Sequence, residues 1–179
     1  AGSVTLTVSA SSIAENAGTS LTITATLSST SDEDVTVALS TSGTATEGTD
    51  YTDGSGVIDD ITISAGATTG TVNFTPTDDS VYEGNETATI AISSVSGGDA
   101  SENGDQSVTV TITENESAPT VTLSVSATSI AENAGTSITV TATLSGATDE
   151  AVTVALSTSG TATEGTDYTD GSGNVDDIT

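Results

Sequence analysis

The chain has 179 residues, of which 26 are Asp or Glu and none is Lys, Arg or His, giving a formal charge of −26. Without His, Cys or any cationic side chain it cannot assemble an acid–base triad, a zinc, haem or iron–sulfur site, a disulfide framework or a phosphate-binding patch, and it would repel nucleic acid. An enzyme is therefore not expected, and the counter-charge must come from cations held by oxygen donors, calcium ahead of magnesium.

Leu, Ile, Val and Phe make up only about one fifth of the chain, near the level that signals disorder when net charge is high. Their arrangement argues for folding. In chain order, apolar residues alternate with polar or small ones in seven runs: Val4/Leu6/Val8, Leu21/Ile23/Ala25/Leu27, Val35/Val37/Leu39, Ile61/Ile63, Val72/Phe74, Ala88/Ile90/Ile92 and Val108/Val110/Ile112. Period-two alternation of largely β-branched residues, interrupted by Gly, Asn, Asp and Ser, describes strands with one buried face. Seven such strands without helical periodicity predict an all-β protein, a seven-stranded antiparallel Greek-key β-sandwich of immunoglobulin-like type. Its core is expected to be thin and aliphatic, with Phe74 and the Tyr residues as the few large side chains.

An internal repeat sets the organisation. The segment Ser12-Ile13-Ala14-Glu15-Asn16-Ala17-Gly18 returns 117 residues later as Ser129-Ile130-Ala131-Glu132-Asn133-Ala134-Gly135. The register holds through Gly160-Thr161-Ala162-Thr163-Glu164-Gly165-Thr166-Asp167-Tyr168, the counterpart of Gly43-Thr44-Ala45-Thr46-Glu47-Gly48-Thr49-Asp50-Tyr51. A domain-sized period means tandem sandwiches. Residues 1–117 are read as one complete sandwich, and 118–179 as the N-terminal half of a second, with three strands and the approach to a fourth. The chain is expected to be a slice of a longer array, the alternative being that another subunit supplies the missing strands by edge addition.

Strand parity sorts the acids. Loops after odd-numbered strands gather at one pole, which receives Glu15, Glu47, Asp50, Asp53, Asp59, Asp60, Asp78, Asp79, Glu83, Glu86, Glu114 and Glu116. The opposite pole receives Asp32, Glu33, Asp34, Asp99, Glu102 and Asp105. Carboxylates 4 Å apart repel by roughly 4 kcal/mol at an effective dielectric of 20, so the crowded pole needs a cation to be firm. Glu47, Asp53, Asp59, Asp60 and the far-pole acids read as solvated turn residues. The Asn85-Glu86-Thr87 and Asn115-Glu116-Ser117 segments match the glycosylation pattern, while their amides can equally hydrogen-bond to neighbouring acids.

These features resemble the Calx-beta domain: Ile13-Ala14-Glu15-Asn16-Ala17-Gly18 after the first strand, Gly43-Thr44-Ala45 leading to Asp50-Tyr51, and Asp78-Asp79 followed by Glu83 and Glu86. The resemblance covers the first copy end to end and the second as far as it runs. It implies bound Ca2+ and a ligand set of Glu15, Asp50, Asp78, Asp79, Glu83, Glu86, Glu114 and Glu116, with Glu132 and Asp167 as the matching acids of the second copy. Two departures, Glu114-Asn115-Glu116 where the family is Asp-rich and Ser80 where it has a third acid, reduce the expectation to one or two ions.

The resulting expectation is an extracellular or cell-surface structural repeat, a calcium-stabilised spacer in a large bacterial adhesin or fibre. Its partners would be neighbouring repeats and, by strand addition, other copies, with no nucleic acid and no membrane insertion. The alternatives are a calcium-sensing regulatory domain pair and an acidic halophilic surface repeat without specific sites.

Overall fold

A computed structural model describes residues 2–179. It comprises two compact units, Ala1–Glu116 and Ser117–Thr179.

Apart from one 3-10 turn, the regular elements of the first unit are all strands: β1 (Ser3–Val8), β2 (Ser12–Ala14), β3 (Leu21–Leu27), β4 (Val35–Gly43), β5 (Tyr51–Thr52), β6 (Ile61–Ile63), β7 (Thr69–Pro76), β8 (Val81–Tyr82), β9 (Glu86–Ser96), β10 (Ser101–Glu102) and β11 (Ser107–Thr113). One sheet has the order β10-β1-β3-β7-β5 and the other β2-β11-β9-β4-β6. Every alternating run of the first copy lies in a strand, and the inward positions of the two sheets form one core. Val4, Ile23, Val35, Val37, Ile90 and Val110 are fully buried there, while Val8, Leu21, Leu39, Val72 and Val108 are only partly buried at its margin. Tyr51 and Phe74 supply the core's aromatic mass, stacked with ring centroids 4.6 Å apart and 20° between planes.

Two pairings depart from the expected antiparallel scheme: β1 with β10, and β2 with β11, run parallel. The cause of the second is a change of sheet just after β1. Ser9 N still bonds to Thr22 O of the first sheet at 3.0 Å, whereas Ser11 O already accepts from Thr111 N of the second at 2.9 Å. The chain thus passes from β1 in the first sheet to β2 at the edge of the second, while β10 lies outside β1, and such short strands leave little unpaired edge.

In the second unit β12 (Val121–Val125) and β13 (Val140–Leu144) pair in the register of β1 and β3, and β14 (Ala147–Thr148) follows. The third strand expected in the second copy, the counterpart of Val35/Val37/Leu39 at Val152/Val154/Leu156, is reduced to one isolated bridge, Val154 with Ile178. Its counterpart β4 is held in the first unit chiefly by β9, through eight paired positions. No residue up to Thr179 corresponds to β9.

Candidate metal centre

Strand register explains why distant acids meet. In the β2–β11 pairing Ala14 lies opposite Thr113, so the next residues, Glu15 and Glu114, leave the sheet side by side. The β9–β11 register places Glu86 opposite Ile112 and delivers a third acid to that end. Across the sandwich Tyr51 pairs with Pro76, and Thr77 N bonds to Asp50 O at 2.9 Å, which sets Asp50 against the loop carrying Asp78, Asp79 and Glu83.

Two triads result. Carboxylate oxygens of Glu15, Glu114 and Glu116 lie within 4.8 Å of one another, as do those of Asp50, Glu83 and Glu86. Unit charges at that separation repel by about 3.5 kcal/mol at an effective dielectric of 20. With no cationic side chain anywhere in the sequence, the repulsion must be offset by backbone amides, a proton or a bound cation.

The first triad is the more buried. Glu15 opens a short 3-10 turn, Glu15–Ala17, and is 5 % exposed. Its Oε1 accepts from Asp79 N at 3.1 Å. Burial pushes its pKa up, the Asp79 amide opposes this, and the charges of Glu114, Asp79 and Glu83 add to the rise. Glu114 is the fixed point of the cluster. Its Oε2 accepts from Glu83 N and Gly84 N at 2.6 and 2.8 Å, and its Oε1 from Asn115 N and Glu116 N at 2.8 and 2.9 Å. Burial would raise its pKa, but the amides of Glu116, Glu83 and Gly84 outweigh this and hold it at about 2. Glu116 is pushed the other way, first by the Glu114 carboxyl beside it, then by burial and by the charges of Glu15, Glu114 and Asp78.

Glu116 Oε1 accepts from Asn115 Nδ2 at 2.7 Å, but Oε2 is shut off from solvent with no partner. A buried carboxylate oxygen without a donor is costly, and a cation between the three acids would satisfy it. The donor set, carboxylate oxygen with no nitrogen or sulfur, fits calcium, which completes its six to eight ligands with carbonyls and water. In the second triad all three acids are half-buried, and Thr46 N occupies one Asp50 oxygen, Oδ2, at 2.5 Å.

The remaining expected ligands belong to neither triad. Asp78 acts on Glu116 through its charge, and Asp79 uses its carboxylate to accept from Val81 N at 2.7 Å while its amide serves Glu15. Glu132 and Asp167 are exposed and join no metal-competent cluster among the described residues. Asn85 accepts from Glu114 N at 3.0 Å, so it and Asn115 both hydrogen-bond into the first triad.

The reading of Glu47, Asp53 and Asp60 as plain solvated residues requires correction, because each carboxylate holds backbone. Glu47 accepts from Thr41 Oγ1 at 2.9 Å and Ile58 N at 2.7 Å, Asp60 from Leu39 N at 2.9 Å, and Asp53 from Ser55 N at 2.6 Å. The Ser55 and Ile58 amides lie in loops without a sheet ladder and Leu39 N lies at the register break of β4, and nearby carboxylates satisfy each of them. Only the return of Thr41 and Glu47 as Thr158 and Glu164 in the second copy marks the pair in sequence.

The sequence profile of the Calx-beta domain matches residues 1–116 and again 114–176. The chain belongs to the Calx-beta family. Among solved structures, that of the apo form of the Calx CBD1 domain superposes with a TM-score of 0.50 at 20 % identity, covering 64 % of this chain and 98 % of that one. That of CBD12 from CALX1.2 gives a TM-score of 0.49 at 21 % identity, covering 61 % of this chain and 43 % of the other. At such identities the first likeness speaks for the β-sandwich alone. No curated protein sequence matches the chain. Calx-beta domains are non-catalytic binding and regulatory modules, and calcium, the ion of this family, agrees with the oxygen-only triads.

Proposed function

We propose that this chain is a calcium-stabilised structural repeat, a spacer in a large bacterial surface adhesin or fibre. The observation that carries the reading is the unpartnered, solvent-shielded Oε2 of Glu116, set within 4.8 Å of oxygens from Glu15 and Glu114. Glu116 immediately precedes Ser117, where the second unit begins. A calcium ion there ties the departing chain back to the β2 end, and so stiffens the joint between successive repeats. An extracellular setting suits this role: calcium is abundant there, modules of this kind bind at about 10⁻⁴–10⁻³ M, and a chain without Lys or Arg offers trypsin-like proteases no cleavage site.

A calcium-sensing domain pair is the second reading. It is favoured by the close approach of Glu15, Glu114 and Glu116, whose carboxylate oxygens lie within 4.8 Å of one another, so that like charges repel once an ion leaves. Calorimetry separates the two readings, since sensors bind at about 10⁻⁷–10⁻⁵ M. X-ray scattering of the whole chain with calcium and with chelator tests the spacer: an interdomain distribution that narrows with calcium supports it, and one indifferent to calcium defeats it.

A further inference from the structure

Glu47 belongs to neither triad, yet both its carboxylate oxygens are committed. Oε2 accepts from Thr41 Oγ1 on β4, and Oε1 accepts from Ile58 N, beyond β5. The side chain thus spans the base of the turn that ends at Asp50. The turn itself is tight: Thr49 N and Asp50 N both bond to Thr46 O, at 3.1 and 2.9 Å, and Gly48 N bonds to Tyr51 O at 2.8 Å. Tyr51, next in sequence to Asp50, is anchored by its stack on Phe74, and its hydroxyl meets the same Thr41 that serves Glu47. Asp50 is therefore held from both sides, by the Glu47 clamp and by the Tyr51 anchor.

The second unit shows that the clamp is a property of the local sequence. Thr158 Oγ1 donates to Glu164 Oε2 at 2.6 Å, Val175 N donates to Glu164 Oε1, and Thr163 N donates to Asp167 Oδ2 at 2.7 Å. The same bonds form there although Asp167 joins no acidic triad among the described residues and Tyr168 is only half-buried.

We infer that Glu47 is a positioning residue for calcium at the Asp50, Glu83 and Glu86 triad, acting through its hydrogen bonds and not as a ligand or a bulk charge. The inference rests on the calcium reading above. A group hydrogen-bonded directly to a metal ligand is commonly worth about 10–100-fold in metal affinity, and Glu47, which bonds to the turn carrying Asp50 and not to Asp50 itself, belongs at the lower end.

Calcium titration calorimetry of the whole chain tests it, with Asp50→Asn identifying which binding phase belongs to this triad. Glu47→Ala is expected to weaken that phase about tenfold. Glu47→Gln should stay close to wild type, because its amide oxygen still accepts from Ile58 N and its NH₂ can donate to Thr41, although a charge has gone. Glu164→Ala should leave the isotherm unchanged. Gln as weak as Ala would assign the effect to charge and overturn the inference, as would Glu47→Ala binding like wild type, whatever its melting temperature. Should Glu47→Ala fail to fold, Thr41→Val, which removes one clamp bond, is expected to weaken the same phase and overturns the inference if it does not. Wild type that binds no calcium removes the calcium reading as well, whereas intact wild-type binding with an indifferent clamp removes this inference alone.

Discussion

Nearly the same sequence occurs twice in this chain in two different environments. Leu6 is 6 % exposed and its counterpart Leu123 is 55 % exposed; Ile13 and Ile130 stand at 8 % and 47 %. The turns nevertheless coincide: the bonds around Thr46 and Asp50 recur around Thr163 and Asp167, and Gly18 and Gly135 share a left-handed φ of 62° and 63°. Local hydrogen bonds therefore follow from local sequence, whereas burial follows from what β7, β9 and β11 bring to the other side. The metal-competent chemistry falls in the second class. Glu15 and Glu132 sit in the same sequence, but only Glu15 has Asp79 N and the end of β11 against it.

The largest effects should come from paired core substitutions. Leu6→Ala is expected to cost about 2–5 kcal/mol as a buried truncation, and Leu123→Ala less than about 0.5 kcal/mol as an exposed one, measured by urea unfolding. Equal costs would mean that Leu123 is covered in solution and would break the comparison. Gly43 and Gly160 offer a sharper pair, because both have φ near +130° and a side chain is strained at each. A Cβ at Gly43 would lie 2.1 Å from Thr87 O, where β4 pairs with the start of β9, while at Gly160 it would meet nothing within 4 Å. Gly43→Ala should cost about 2–4 kcal/mol from strain and overpacking together. Gly160→Ala should show the strain alone, about 1 kcal/mol, and a null difference would show that β4 and β9 part easily.

The acid pair comes next. Calcium at about a hundred times its Kd stabilises a binding-competent fold by about 2.7 kcal/mol, seen as a higher melting temperature than in chelator. Glu15→Gln should remove much of that calcium-dependent gain while leaving the chelator midpoint unchanged or higher, since it deletes a buried charge among like charges. Glu132→Gln should change neither. A calcium response that survives Glu15→Gln intact would take Glu15 out of the ligand set.

The architecture was legible because a half-buried strand writes its face into a period of two, and Ile23, Ala25 and Leu27 or Ala88, Ile90 and Ile92 do so without ambiguity. The short edges β2 and β10 were not, since Ser12–Ala14 and Ser101–Glu102 are too brief to carry a period. Strand parity assigns Glu15, Asp50, Glu83, Glu86, Glu114 and Glu116 to one pole, which needs only the order of strands and loops. The division of that pole into two triads depends on the β2–β11 register and on side-chain reach, neither of which is written in the spacing of the acids. Glu47 escaped for the same reason: its partners, Thr41 and the Ile58 amide, are brought to it by the fold of the loop.

The smallest and most diagnostic effect is the dependence of the ion-free protein on pH. Glu15 and Glu116 have folded pKa values above their ordinary 4.5, so their protonation favours the fold: their contribution is complete below about pH 4.5 and is lost as pH rises through the raised values. Glu114 works in the opposite sense, contributing stability above pH 4.5 that is lost as pH falls towards its folded value of about 2. In chelator the contribution of these three groups should therefore raise the melting temperature on acidification from neutrality to about pH 4.5 and lower it below that. Calcium needs the same carboxylates ionised, so its stabilisation should fade over the upper window and the two curves converge in acid. Glu116→Gln should flatten the rise in chelator and Glu132→Gln should leave it intact. Equal responses of the two variants would mean that the pH dependence comes from acids spread over both units and not from the Glu15, Glu114 and Glu116 cluster.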